Sequence, residues 1–326
     1  LMKILYFGSA QFGIPCLEAL LKSRHKLAGI FTQPARPAGR HRSQPTPTDV
    51  AVWCAAHGLP CIEADNINAA ECISQVAGFG ADLLVVIAFG QKVCQQIIGL
   101  HRCGAINVHA SLLPKYRGAA PIHWAIMNGE IETGVSIITL ADRMDAGLIL
   151  DQDRILIEPD DTSQTLHDRL AQIAAPVLLR TIAKIEDHSI HPVEQDESQV
   201  TKAPRLRKEH GYIDWNKPAA AIVNQIRALW PWPGAQSVYV SVKTGRHWRV
   251  TISRAQAVPA AGTSASVTGL LDDNLNVVCG SEALKILELK PAGSDLMSFE
   301  AFVNGRPCGK GDLFVSSEKA LSGLFR

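Results

Sequence analysis

The strongest constraint in this sequence is an alternation. Across the first 150 residues, short apolar, β-branched runs take turns with segments of helical period. Residues 3–7, 27–32, 82–88, 105–109 and 135–140 read as strands, and the segments that begin near Gln11, Thr48, Ala69 and Ala120 read as helices. Strands this apolar are buried on both faces, and a helix between successive strands allows them to run parallel. The pattern therefore predicts an α/β fold: a doubly wound, mostly parallel sheet covered by helices. Ligands of such sheets bind beyond the carboxyl ends of the strands, so polar residues at those ends are the first place to look for chemistry.

The second half has a different rhythm. A helical pattern at 163–184 is followed by a polar stretch, 187–208, that reads as a linker and contains Glu194-Gln195-Asp196-Glu197-Ser198-Gln199. A short helix at Ala219–Leu229 ends at Trp230-Pro231-Trp232-Pro233-Gly234. Strand-like runs follow at 237–242, 248–255, 266–271, 276–278 and 284–290, separated by Thr244-Gly245, Ala261-Gly262 and Asp272-Asp273-Asn274. Short strands at this spacing suggest a small antiparallel, OB-like β-barrel. With 326 residues, two domains are the prior expectation. The boundaries expected are 2–187, a linker at 188–208, and a barrel at 209–315, with Leu1 set aside.

Composition removes several classes. At 47% apolar and 19% charged residues the chain suits a packed globular structure. No run of about 18 apolar residues occurs and no charged segment precedes a short apolar one, so a soluble, cytoplasmic protein without a membrane span is expected. The eight cysteines form no CxxC and match neither a zinc site nor a disulfide framework; reduced core thiols are the plainer reading, and no metal is expected. Cys103, four residues from Asn107, has nothing recognisable around it to activate a nucleophile. Residues 1–204 carry 17 basic against 21 acidic side chains, and residues 205–326 carry 15 against 10. A basic second half is mild support for a polyanionic partner.

Two loops invite a ligand reading. Gly8-Ser9-Ala10-Gln11-Phe12-Gly13 follows the first strand but lacks GxGxxG spacing, so a tight turn is preferred and NAD is not expected. Residues 33–47 hold four prolines with Arg36, Arg40, His41 and Arg42, an exposed loop that regular structure cannot persist through. Such a loop is either a phosphate-contacting arm or a solvated basic surface.

The most informative segment is Gly104-Ala105-Ile106-Asn107-Val108-His109-Ala110-Ser111-Leu112-Leu113-Pro114-Lys115-Tyr116-Arg117-Gly118. Asn107 and His109, at i and i+2 of a strand, project from one face. A primary amide suits a developing oxyanion, and an imidazole moves protons near neutral pH. Either residue seen alone would as readily cap the strand. Downstream, Asp142-Arg143-Met144-Asp145-Ala146-Gly147 follows the run at 135–140 and is expected at a carboxyl edge too. A carboxylate beside His109 would stabilise an imidazolium and fix its tautomer. Spacing does not choose between Asp142 and Asp145.

Asn107-x-His109 followed by SLLPKYRG, with the later Asp145-Ala146-Gly147, resembles the formyltransferase family that uses 10-formyltetrahydrofolate. The resemblance implies a catalytic trio of Asn107, His109 and Asp145, with 2–187 as the catalytic domain. It also implies a folate site at Ser111, Leu112, Leu113, Pro114, Phe89 and Gly90. The segment 88–94 departs from the AYGLILP frequent at that place. Residues 30–39 (IFTQPARPAG), Gly211-Tyr212-Ile213-Asp214-Trp215, Pro231-Trp232-Pro233-Gly234-Ala235 and Leu289-Lys290-Pro291-Ala292-Gly293 are similar to the branch of the family that formylates initiator methionyl-tRNA. That implies tRNA contacts at Arg36, Arg40 and Arg42 and a tRNA-binding barrel, although His41-Arg42-Ser43-Gln44 stands where adjacent lysines are usual. The expected activity is formyl transfer to the α-amine of initiator methionyl-tRNA, by a monomer with tRNA and folate as partners. Rival readings are a sugar-nucleotide formyltransferase, a formyltetrahydrofolate hydrolase with the same trio, and an RNA-binding module on a silent domain.

Overall fold

The computed structural model describes residues 1–37, 45–260 and 267–316. In chain order its strands are β1 Lys3–Gly8, β2 Lys26–Thr32, β3 Arg36–Pro37, β4 Pro45–Thr46, β5 Ile62–Glu63, β6 Leu83–Ile87, β7 Ala105–His109, β8 Glu132–Thr139 and β9 Ile149–Leu156. Then come β10 Ala235–Val240, β11 His247–Val258, β12 Val277–Val278, β13 Ala283–Pro291, β14 Met297–Ser298 and β15 Leu313–Val315. The helices are α1 Ile14–Lys22, α2 Asp49–Ala56, α3 Ala70–Gly78, α4 Gln95–Ile98, α5 Pro121–Met127, α6 Ser163–Glu186, α7 Ala219–Leu229 and α8 Phe299–Asn304.

The chain divides into two compact units. One comprises Leu1–Pro121, Glu132–Leu156 and His167–Ala203; the other Ile122–Ile131, Ile157–Leu166 and the chain from Pro204 on. The first holds a seven-stranded sheet in the order β5-β2-β1-β6-β7-β8-β9, parallel from β5 to β7. Its central strands β1 and β6 are buried along nearly their whole length, as their unbroken apolar runs require. Leu5, Phe7, Phe31, Leu84, Val86 and Phe89 build the core on one face with Val76 of α3 and Ile97 of α4.

β7 and β8 pair antiparallel, as do β8 and β9. α5 lies between β7 and β8 in the chain, and β8 runs back antiparallel to β7 instead of crossing over to lie parallel to it. The acids do follow the carboxyl end of their strand, but because β8 is antiparallel that end lies beside the start of β7 and not beside its end. Thr139 pairs with Ile106, at the start of β7, while His109 pairs with Ser136.

The second unit is an antiparallel sheet, β12-β13-β11-β10-β15 with β14 on β13, around α7 and α8. Its core collects Ile213, Trp215, Ile222, Ile226, Tyr239, Leu284, Phe302 and Phe314. Leu284 and Ile286 of β13, two residues apart with exposed Lys285 between them, both enter this core, which fits the period-2 patterning read from the sequence.

Candidate active site

Asn107 and His109 fall within the last three residues of β7, between β6 and β8. His109 is 6% exposed. Its Nε2 lies 2.9 Å from the Tyr116 carbonyl oxygen, which can only accept, so Nε2 carries a proton. Its Nδ1 faces Asp145 Oδ2 at 3.6 Å. The Asp145 carboxylate in turn accepts the Gly118 N–H at 2.8 Å. One imidazole is thus hydrogen-bonded to a carbonyl on one side and faced by a carboxylate just beyond hydrogen-bond length on the other.

Asp142 behaves differently. It is exposed, and its Oδ1 accepts from Gln95 Nε2 at 3.0 Å. The geometry sets Asp145 rather than Asp142 beside the ring. Because β8 ends next to Ile106, the chain must return by about three residue rises, roughly 10 Å, to bring Asp145 to His109. Gly147 makes that return possible. A Cβ there would stand 1.7 Å from the Thr139 carbonyl oxygen, a collision no side chain survives.

The Asn107 amide is half-buried and, among the described residues, has no hydrogen-bond partner. Partly buried side-chain amides are normally engaged, so this one is open to a ligand. Around it the backbone is strained. Tyr116 (φ 64°), Asp145 (φ 54°) and Ala88 (φ 45°) all adopt the left-handed region without being glycine, and strain of this kind concentrates at functional sites.

The turn after β7 is a scaffold. Ser136 Oγ donates to the Ser111 carbonyl (2.6 Å) and accepts from the Leu113 N–H (3.0 Å), while Gln152 Nε2 donates to Ser136 Oγ (2.8 Å) and to the Leu113 carbonyl (2.9 Å). Ser111 and Leu113 are buried, whereas Leu112 and Pro114 are partly accessible. Phe89 is 2% exposed and packs on Phe7 with ring centroids 5.2 Å apart, so its carbonyl, not its ring, faces outward interactions. That carbonyl accepts from Gln33 Nε2 (2.7 Å) and Ser9 Oγ (3.2 Å). Ser9 thus ties together the ends of β1, β2 and β6, the structural use of the glycine-poor turn. A cavity of about 290 Å³ opens at this edge, lined by Ser9, Gln33, Arg36, Thr48, Phe89 and Gly90 among others. Arg36 is exposed and 3.2 Å from Asp65; Arg40 and Arg42 lie outside the described residues.

Three further contributors lie in the polar stretch whose sequence patterning is that of a linker. Gln195 Nε2 donates to the carbonyls of Asp145 and Gly147, each at 2.8 Å, and its Oε1 accepts from Arg117 Nε at 2.9 Å. Glu197 receives Arg117 at 3.0 Å and Arg143 at 2.9 Å, and the Arg117 guanidinium holds its carboxyl below the usual carboxylate range. Thr201 Oγ1 accepts the Tyr116 N–H at 2.8 Å. Polar residues without period carry no signal of such contacts.

The eight cysteines are all free, and Cys16, buried at 0% exposure, has its thiol pushed up to about 12 by that burial. Among the described residues no group of three or more His, Cys, Asp or Glu is placed to hold a metal ion, and no helix is long and apolar enough to cross a membrane.

Residues 2–182 match the formyl transferase family model, and residues 205–307 match the formyl transferase C-terminal domain. The chain belongs to the formyl transferase family. It is 39% identical to the methionyl-tRNA formyltransferase of Trichlorobacter lovleyi, over 97% of this chain and 98% of that one. With the enzyme of the same name from Geobacillus thermodenitrificans it shares 38% identity over 93% of each. Among solved structures, an N-formyltransferase from Helicobacter canadensis in complex with folinic acid and dTDP-3-aminofucose superposes with a TM-score of 0.60 at 16% identity, covering 88% of this chain and 99% of that one. HypX from Aquifex aeolicus in complex with tetrahydrofolic acid gives a TM-score of 0.60 at 16% identity, over 97% of this chain and 51% of that one. At these identities the structures attest the fold that formyl transferases share. Similarity to the methionyl-tRNA enzymes runs the length of the chain, through both units.

Proposed function

We propose that this formyl transferase moves the formyl group of 10-formyltetrahydrofolate to the α-amine of methionyl-initiator tRNA, in the cytoplasm. The observation that carries the reading is the free Asn107 amide beside a His109 ring set between the Tyr116 carbonyl and the Asp145 carboxylate. Its support for the acceptor is the full-length similarity to enzymes of that name; the sugar enzymes share the fold at far lower identity.

The neutral amine attacks the formyl carbon, a C–N bond forms, and the carbonyl oxygen becomes an oxyanion that the Asn107 Nδ2–H stabilises. Collapse of the tetrahedral adduct breaks the bond to N10 of the folate, which leaves carrying the proton the amine gives up. His109 and Asp145 handle that proton. With Nε2 engaged by Tyr116, Nδ1 is the exchanging nitrogen, and its 3.6 Å separation from the carboxylate closes to hydrogen-bond length by a shift of a few tenths of an ångström. Leu112, Pro114 and Gly90 would flank the folate, with Ser111, Leu113 and Phe89 holding the loops that carry them. Arg36, Arg40 and Arg42 would contact the acceptor arm of the tRNA, and residues 209–315 its backbone. Residues 2–187 form the catalytic domain in this reading.

The deciding assay offers 10-formyltetrahydrofolate with methionyl-initiator tRNA, a charged elongator tRNA, and an amino-sugar nucleotide. Transfer to the initiator is expected. Transfer to the sugar alone, or release of formate without an acceptor, overturns the reading. Arg42→Ala should weaken tRNA use while leaving folate binding intact.

A further inference from the structure

Residues 193–203 are sewn onto the first unit at every turn. Val193 bridges Ile149 through two backbone hydrogen bonds of 2.8 Å, and Lys202 pairs with Arg117. Ala203 N–H donates to the Arg117 carbonyl at 2.7 Å, and the Ala203 carbonyl accepts the Ala120 N–H at 3.1 Å. Between these anchors the segment reaches both loops that flank His109. On the Nδ1 side, a single Gln195 amide group holds the carbonyls of Asp145 and Gly147, and Glu197 holds Arg143 of the same loop. On the Nε2 side, Thr201 Oγ1 takes the Tyr116 N–H and the Thr201 carbonyl takes the Arg117 N–H at 2.9 Å. Arg117 joins the two sides, bonding Gln195 through Nε and Glu197 through Nη2. Each held residue that touches the ring, Tyr116 and Asp145, has a left-handed backbone that would relax without such restraint.

We propose that residues 193–203 act as a strap that fixes His109 and Asp145 in register with Asn107, and that Gln195 is its central positioning residue. The inference rests on the catalytic reading given above. Gln195 touches no reacting atom. It acts by keeping the Asp145 carboxylate aimed at Nδ1, in the way an outer partner orients a functional histidine.

The test is a double-mutant cycle on the full chain, using the initiator-tRNA assay. Gln195→Met keeps the side chain's bulk and removes its hydrogen bonds. It is expected to lower kcat on the order of tenfold or more, with KM for both substrates unchanged. In an Asp145→Asn background the same change should have no further effect, because the group it positions is already disabled. Thr201→Val, which removes the acceptor for Tyr116, should lower kcat in the same way and serves if Gln195→Met does not fold. Unaltered kcat in the folded variants, or a loss that multiplies with that of Asp145→Asn, overturns the strap. Full activity of Asp145→Asn alone would instead sink the catalytic reading, and the strap with it.

Discussion

Each unit buries a polar network, and the two networks are finished to different degrees. In the second unit Asp312, 4% exposed, accepts the N–H groups of Val242 and Gly309 at 2.8 Å each and the hydroxyl of Tyr239, while Ser241 Oγ donates to the Pro307 carbonyl at 2.9 Å. Burial, with Asp312 beside it, pushes the Tyr239 phenol far above its ordinary value, so it stays a donor. Tyr239, Ser241, Val242 and Asp312 all have ordinary backbone. In the first unit the network around His109 leaves the Asn107 amide open, keeps the ring and Asp145 at 3.6 Å, and is built on left-handed residues. A saturated network rigidifies a fold. One left incomplete on strained backbone is poised for a ligand to complete it.

That contrast can be broken by substitution. The largest effect is expected from Asn107→Ala: a loss of kcat of about a hundredfold or more, equivalent to roughly 3 kcal/mol of transition-state stabilisation, with unchanged thermal stability. Full turnover in the purified, folded variant would remove Asn107 from the chemistry. Asp312→Ala should do the converse. Three donors would lose their acceptor in a buried place, so denaturant unfolding should show a loss of about 3 kcal/mol, with kcat retained at temperatures where the protein stays folded. If Asp312→Ala left stability intact, the saturated network would not be what holds the second unit.

Gly147→Ala sharpens the comparison from the strained side. Its methyl must displace the loop from Thr139, carrying Asp145 away from His109. Steady-state kinetics should show kcat falling on the order of tenfold or more, beyond any change in melting temperature. An unaltered kcat would mean that the loop tolerates misplacement. The smallest effect concerns acid. Asp151, partly desolvated, is nonetheless held below the usual carboxylate range by Arg180 and Lys184 of α6. A depressed folded value means that its stabilisation is present above the unfolded value, near 4, and fades as pH falls through the folded one. Unfolding free energies measured between pH 5 and pH 2, a range of about three units around that value, should therefore decline less steeply for Asp151→Asn than for the parent. Parallel slopes would refute the linkage.

Much of this was legible in the residues. The strand read at 105–109 is β7 as observed, and the helix read at Ala219–Leu229 is α7. Apolar runs and caps are local, and local signals set elements. The Asn107 and His109 side chains share a face because strand geometry repeats every second residue. The strap was not legible. Gln195 lies 50 residues from Asp145 and 78 from Arg117, and a polar stretch without period looks the same whether it floats or is hydrogen-bonded along its length.

By itself, then, the sequence determined many of the elements, though not β9 or β15 and not the turn at 267–269 that it reads as part of a strand. It also determined the parallel core, the antiparallel second half and the placing of an amide and an imidazole on one strand face, from periodicities of 2 and 3.6 and from turn chemistry. The tertiary structure decided the direction of β8, which put Thr139 at the wrong end of β7 for a direct approach. It also decided that the chain returns through Gly147 to set Asp145, and not Asp142, beside His109, and that residues 193–203 hold it there. These are contacts between residues far apart in the chain, fixed by how strands pair and loops close, and no local pattern encodes them.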